Sequence, residues 1–130
     1  MTAYGVLSRG LISDSALAGG SRSGFRAMAP RFQGENLDRN LALVQALKDI
    51  AIEKGCTVAQ LAIAWVYARG NDIVPLIGAR KPARLAEALQ ALDVTLTPQD
   101  FARIEAAAPV GAVAGERYPA AQTAMLDSER

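Results

Sequence analysis

The residues best equipped for chemistry are three cations set close together, Arg80, Lys81 and Arg84, which bracket Pro82. Pro82 suits the first position of a helix, because its missing N–H is one that a helix start leaves unbonded anyway. Neither Arg80 nor Lys81 can accept a hydrogen bond from the first-turn amides, as a Ser, Thr, Asp or Asn cap would. Those donors stay open at the positive end of the helix dipole. With three cations beside them they make a seat for a phosphate group. The same residues also fit a plain basic helix start, with water on the amides and the side chains solvated. Other chemistry is scarce. The chain has no histidine, so it lacks the commonest general base and metal ligand, and no zinc-type constellation can be drawn. Cys56 is the single cysteine, so no internal disulfide can form.

A phosphate seat of this kind needs a strand and a helix to hold it. Ile73, Val74, Pro75, Leu76 and Ile77 form an apolar run with β-branched members, the pattern of a short strand buried on both faces, and Gly78 ends it at a turn. Pro75 removes a ladder donor and by itself argues for an edge strand. After Pro82, Leu85, Leu89 and Leu92 fall at i, i+4 and i+7 as one apolar stripe along the next helix.

Upstream, a second short strand is expected within Met1 to Leu7, with Tyr4 and Val6 on one side and Ala3 and Gly5 on the other. From Ser8 to Asn36, five glycines, five serines and Pro30 break every long period, which predicts a loop that is functional or disordered. One helical turn fits between Leu11 and Leu17. Asn36 is expected to cap a helix whose Leu37, Leu41, Val44, Leu47 and Ala51 share a face, and Gly55 to end it. Thr57 with Gln60 forms a capping box that opens another helix, striped by Val58, Leu61, Ala62 and Trp65 until Gly70. Thr97, Pro98, Gln99 and Asp100 repeat the start signal, with Phe101, Ile104 and Ala108 lining the last helix. The tail from Pro109 reads as irregular. Two strands, each followed by helices, give an α/β chain with a parallel sheet.

These residues carry a resemblance. The run from Val74 to Pro82, with Arg84, Leu85 and Glu87, is similar to the segment around the last barrel strand of the aldo-keto reductases. Ala3 to Gly10 resembles that family's seventh strand and the loop after it. The likeness continues through Pro30 to Asn36, Leu41 to Gly55, Thr57 to Val66, Leu96 to Pro98 and Gly115 to Pro119, in order and over nearly the whole chain. The fold it implies is the last two βα units of a (β/α)8 TIM barrel plus the C-terminal helices, a single incomplete domain over residues 1–130. The cofactor it implies is NADP, bound as NADPH. Tyr4 then stacks on the nicotinamide ring, and Leu7, Ser8, Arg9 and Gly10 begin the loop over the pyrophosphate. Gly78, Ala79, Arg80 and Arg84 match the 2′-phosphate and adenine segment, and Glu87 the carboxylate that meets the adenine amino group. Ala88 departs from the pattern, since the family commonly has asparagine there. Glu116, Arg117 and Tyr118 fall in the tail, where members can help enclose substrate or cofactor. Trp65, on its helix's apolar stripe, reads as core.

The family's catalytic aspartate, tyrosine, lysine and histidine all lie in the first half of its barrel, and nothing here matches that half. No catalytic residue is assigned. The resemblance implies the cofactor side of an NADP-dependent oxidoreductase acting in carbonyl reduction, its chemistry completed by a separate N-terminal portion. Strands without their neighbours expose open edges and apolar surface, which invite that portion or self-association. A noncatalytic helical module that binds another protein is the alternative. With 14 basic and 13 acidic residues there is no general basic face for nucleic acid, and the second helix around Gly55 carries only Arg69 as a reading cation. No apolar run is long enough to span a bilayer and no charged-then-apolar leader is seen, so the expected location is cytoplasmic.

Overall fold

The computed structural model describes residues 1–17, 19 and 24–125. In chain order the elements are β1 (Thr2–Ala3), α1 (Asp14–Leu17), α2 (Phe25–Met28), α3 (Gly34–Glu53), α4 (Val58–Tyr67), β2 (Val74–Pro75), α5 (Pro82–Gln90), α6 (Pro98–Ala107) and α7 (Ala120–Thr123). Short 3₁₀ turns lie at Ser8–Gly10, Pro30–Phe32 and Ala91–Asp93.

The helices end where local chemistry says they should. Gly55 takes φ +70 after α3, its N–H donates to the Ile52 carbonyl at 3.0 Å, and the Cys56 N–H donates to the Ala51 carbonyl at 3.0 Å. This pair of bonds is a Schellman cap, which needs a residue at ease in the left-handed region. Thr57 and Gln60 form the expected capping box on α4, and Thr97 and Asp100 form one on α6. Asn36 does not cap α3. Its Nδ2 donates to the Pro30 carbonyl at 3.2 Å, so the helix begins earlier, at Gly34, with Gln33 at the cap position and no side-chain cap.

The core lies where α3, α4 and α6 meet. Leu37, Val44, Leu47, Ile50 and Ala51 of α3 pack with Val58 and Leu61 of α4 and Ile104 of α6. Leu61 and Val58 are almost wholly buried, each gaining roughly 2 kcal/mol over an exposed position. Trp65 packs against this cluster as expected.

β1 and β2 pair in parallel, with Thr2 opposite Val74 and Ala3 opposite Pro75. Both strands are shorter than their sequence suggests. Gly5 turns the first at φ +73, and the Ser8 N–H closes that turn on the Gly5 carbonyl at 2.8 Å. In the second, the Val74 N–H donates to the Met1 carbonyl at 2.9 Å and the Leu76 N–H to the Ala3 carbonyl at 2.8 Å. The ladder bonds thus fall on either side of Pro75, whose missing donor is not needed. The strand is also not buried on both faces. Ile73, Pro75 and Ile77 are half-buried, whereas Val74 is 56% and Leu76 51% exposed. β2 rests on α4 and nothing among the described residues covers its other face. Leu85, Leu89 and Leu92 on and just after α5 are also more than half exposed, so the expected stripe exists but lies bare.

One ion pair ties the end of α3 to the start of α6. Lys54 Nζ lies 2.7 Å from Asp100 Oδ2, the same oxygen that accepts the Thr97 N–H at 2.8 Å. The Lys54 bond above all, then the Thr97 amide, holds the Asp100 carboxyl down at about 2 from an ordinary value near 3.8. A carboxyl depressed in the fold stabilises it above its unfolded value and loses that effect as pH falls through its folded value. Asp100→Ala should therefore cost about 1–2 kcal/mol at neutral pH. In urea melts followed by circular dichroism, the difference from the parent chain should shrink as pH falls from 4 towards 2.

Candidate functional site

Because β1 and β2 run parallel, both leave the pair at the same end, and the segments after Ala3 and Pro75 emerge side by side. The first of these segments is conformationally costly. Ser8, Arg9 and Gly10 have φ of 48, 58 and 84, three successive residues in the left-handed region. For the two that are not glycine this costs about 1–2 kcal/mol each. Backbone strain of this sort collects at functional loops. At Gly10 the φ of +84 favours glycine, and an added Cβ would also stand 2.1 Å from Arg26 Nη2, so that the end of that side chain would have to move. Arg26 Nε in turn donates to the Arg9 carbonyl at 2.9 Å and holds the turn.

Tyr4, Gly5, Ser8 and Arg9 line one side of a cavity of about 250 Å³. Its other side comes from far along the chain: Arg31 and Phe32 from the Pro30–Phe32 turn, and Arg117 and Tyr118 from the tail. One buried polar residue joins these pieces. Asn40, on α3 and 1% exposed, donates through Nδ2 to the Arg31 carbonyl at 3.0 Å and to the Ala114 carbonyl at 2.9 Å. Its Oδ1 accepts the Ala114 N–H at 2.8 Å. Arg31 Nε adds a bond to the Gly115 carbonyl at 3.2 Å. The approach is so close that a Cβ on Gly115 would lie 2.9 Å from the Pro30 carbonyl carbon, and Gly115 sits at φ +82.

The cavity is basic and aromatic. Arg117 Nη1 donates to Tyr4 Oη at 3.2 Å, with its Cζ 4.7 Å from the Tyr4 ring centre. Arg9 Cζ stands 3.9 Å from the Phe25 ring and 4.9 Å from that of Tyr118. Such cation–ring contacts contribute about 0.5–1 kcal/mol each when exposed. Among the described residues none of Arg9, Arg31 and Arg117 is in an ion pair with a carboxylate. Burial, then the neighbouring Arg117, pushes the Arg31 guanidinium below its usual value, with Glu116 pulling the other way. The Tyr118 phenol is also lowered, first by its hydrogen bond with Arg9 and then by the charges of Arg117 and Arg9.

The second segment forms a separate corner. Lys81 caps α5 without a side-chain bond and Pro82 takes the first position, as the sequence indicates, but the first-turn donors do not all stay open, because the Arg84 N–H donates to the Lys81 carbonyl at 3.0 Å in a tightened first turn. Gly78, Ala79, Arg80 and Lys81 are exposed, and neither Arg80 nor Lys81 holds an ion pair among the described residues. Arg84 Nη1 pairs with Glu87 Oε2 at 2.8 Å, while Glu87 Oε1 accepts the Thr57 hydroxyl at 3.1 Å. Each oxygen keeps a lone pair and Arg84 most of its donors, so the pair can still meet a ligand.

Of the predicted residues, Tyr4, Ser8 and Arg9 meet in the cavity, while Leu7 and Gly10 shape the turn without lining it. Gly78, Ala79, Arg80, Arg84 and Glu87 stand at the other corner and do not line it. Arg31 and Phe32 had no assigned role in the sequence, and Asn40 was overlooked. The signal for Asn40 was a polar residue one turn from Leu37 and Val44 on the buried stripe, where an amide must find partners.

An aromatic ring and clustered cations thus stand at the outgoing ends of the parallel strands. The family model described as Aldo/keto reductase family matches residues 2–109, and the chain belongs to that family. Over 89 residues it is 44% identical to "Probable aldo-keto reductase 1" of Glycine max, a match covering 68% of this chain and 26% of the relative. The chain thus spans about a quarter of that relative's length. Arg117 and Tyr118 lie beyond the family match. No helix among the described residues is long and apolar enough to cross a membrane.

Asn40→Ala should strand the Ala114 amide and two carbonyls. Loss of such partners costs about 2 kcal/mol. The chain beyond Pro109 should become the first site of cleavage in limited proteolysis, while an exposed control such as Gln45→Ala leaves the pattern unchanged.

Proposed function

We propose that this chain is the cofactor-binding part of an NADP-dependent aldo-keto reductase, an oxidoreductase for carbonyl reduction, and that it forms the last two βα units and closing helices of a (β/α)8 barrel. Family membership and the parallel β1–β2 pair support the barrel reading, as do the bare faces of β2 and α5, where further barrel elements would pack. A separate N-terminal portion would cover them and supply the catalytic groups.

The observation that carries the cofactor reading is the joint placement of Tyr4 and Arg9 at the end of one strand and of the Gly78 to Glu87 corner at the end of its neighbour. The group fits the residues present. Tyr4 is 63% exposed and offers its ring, and the cavity of about 250 Å³ suits the nicotinamide end while the rest of the dinucleotide lies along the surface. Ser8, Arg9 and the strained turn take the pyrophosphate. Arg80, with Arg84 and the Ala83 N–H of α5, takes the 2′-phosphate, and Glu87 faces the adenine. When bound, the cofactor supplies the hydride. Tyr4 holds its ring in place and the cations fix its charged backbone, so that reduction needs only a carbonyl and a proton donor from the missing portion.

Titration of the chain with NADPH and NADH, followed by cofactor fluorescence, tests this reading. The chain should prefer NADPH, and Arg80→Ala should weaken NADPH about tenfold while leaving NADH nearly unchanged, because one charge-assisted contact is removed. Equal loss for both cofactors, or no binding of either, would overturn it.

A further inference from the structure

The cavity carries more positive charge than the cofactor reading uses. Arg9 sits on the turn that this reading gives to the pyrophosphate. Arg31 and Arg117 come from elsewhere, the second from outside the stretch that matches the family. Arg117 is hydrogen-bonded to Tyr4 Oη at 3.2 Å, so its charge stands beside the ring assigned to the nicotinamide. Arg31 spends its Nε on the Gly115 carbonyl, and among the described residues its terminal nitrogens hold no hydrogen bond or ion pair. No acidic side chain lines the cavity. Glu116 offsets part of the Arg31 charge from outside the lining, and the effect of Arg117 on Arg31 shows that the two guanidinium groups repel.

Paired guanidinium groups with free donors are a fork for a carboxylate or phosphate. The position decides which reactant brings it. An anion between Arg31 and Arg117 lies next to Tyr4, at the reacting end of the cofactor, with Phe32 and Tyr118 as aromatic walls.

We propose that Arg31 and Arg117 form a seat for an anionic group, a carboxylate or phosphate, borne by the carbonyl substrate, so that this reductase acts on acidic aldehydes or ketones. The placement of the seat beside the reacting ring rests on the NADP reading. Arg31 is positioned by Gly115 and Asn40's grip on the turn, and Arg117 by Tyr4. The fork selects charge, and the rings select a flat body next to it.

Calorimetric titration of the full chain with phenylglyoxylate and with its methyl ester, each with and without saturating NADPH, isolates the charge. Phenylglyoxylate should bind about tenfold more tightly than the ester, and Arg117→Gln or Arg31→Gln should erase that preference while changing NADPH affinity less than about threefold. Arg117 is exposed, so its variant keeps the fold, and circular dichroism checks both. Equal binding of acid and ester would overturn the proposal. So would an equal loss of NADPH and phenylglyoxylate in Arg117→Gln, which would make the cofactor's diphosphate the occupant. If NADPH fails to bind the parent chain while the acid preference stands, the anion seat is supported and the cofactor reading falls.

Discussion

Two strands of two residues each, joined in parallel across more than seventy positions, decide where the chemistry-bearing residues of this chain can meet. An antiparallel pairing would send Tyr4 and Gly78 to opposite ends. The parallel one brings out both at the same end, where the connecting helices α3 and α4 need not cross the site. A ladder this short cannot hold such an arrangement by itself. Its stability comes from the helical core of α3, α4 and α6, with α4 lying against β2.

The second constraint is the amide of Asn40. Its three bonds draw the Pro30–Phe32 turn and the tail to one point, and Gly115 lets the two backbones touch. Arginines from positions 9, 31 and 117 thereby share one cavity, with no carboxylate in its lining. Holding like charges together costs energy that folding must recover elsewhere. The left-handed turn at Ser8 to Gly10 stores strain at the same place.

Much of the scaffold was legible because its signals are local. The Thr57–Gln60 box, the Thr97–Asp100 start, Gly55 as a cap and Pro82 at a first position each depend on residues within one turn. Strand length was not legible, because it depends on pairing partners, and here Gly5 trims the first strand and no third strand is present among the described residues to extend the pair. The site divided in the same way. Tyr4, Ser8 and Arg9 fall within one short stretch and could be matched as such, whereas Arg31 and Arg117 stand more than eighty positions apart and are brought together by Asn40 of α3 and the Arg31 bond to Gly115. Glu87 gained a structural duty no pattern announced, as it ties α5 to Thr57 at the start of α4 and pairs with Arg84 on its own helix.

The bare leucines of α5 and the face of β2 left uncovered among the described residues are apolar surface, while two corners, one at Tyr4 and Arg9 and one from Gly78 to Glu87, stand at the outgoing end of the strands. The central claim is that one dinucleotide spans both corners of that end. A crystal structure of the chain grown with NADPH tests it most directly. The account predicts the nicotinamide against Tyr4, the pyrophosphate at Ser8 to Gly10 and the 2′-phosphate within reach of Arg80. Cofactor density at neither corner, or with its 2′-phosphate directed away from α5, would contradict it.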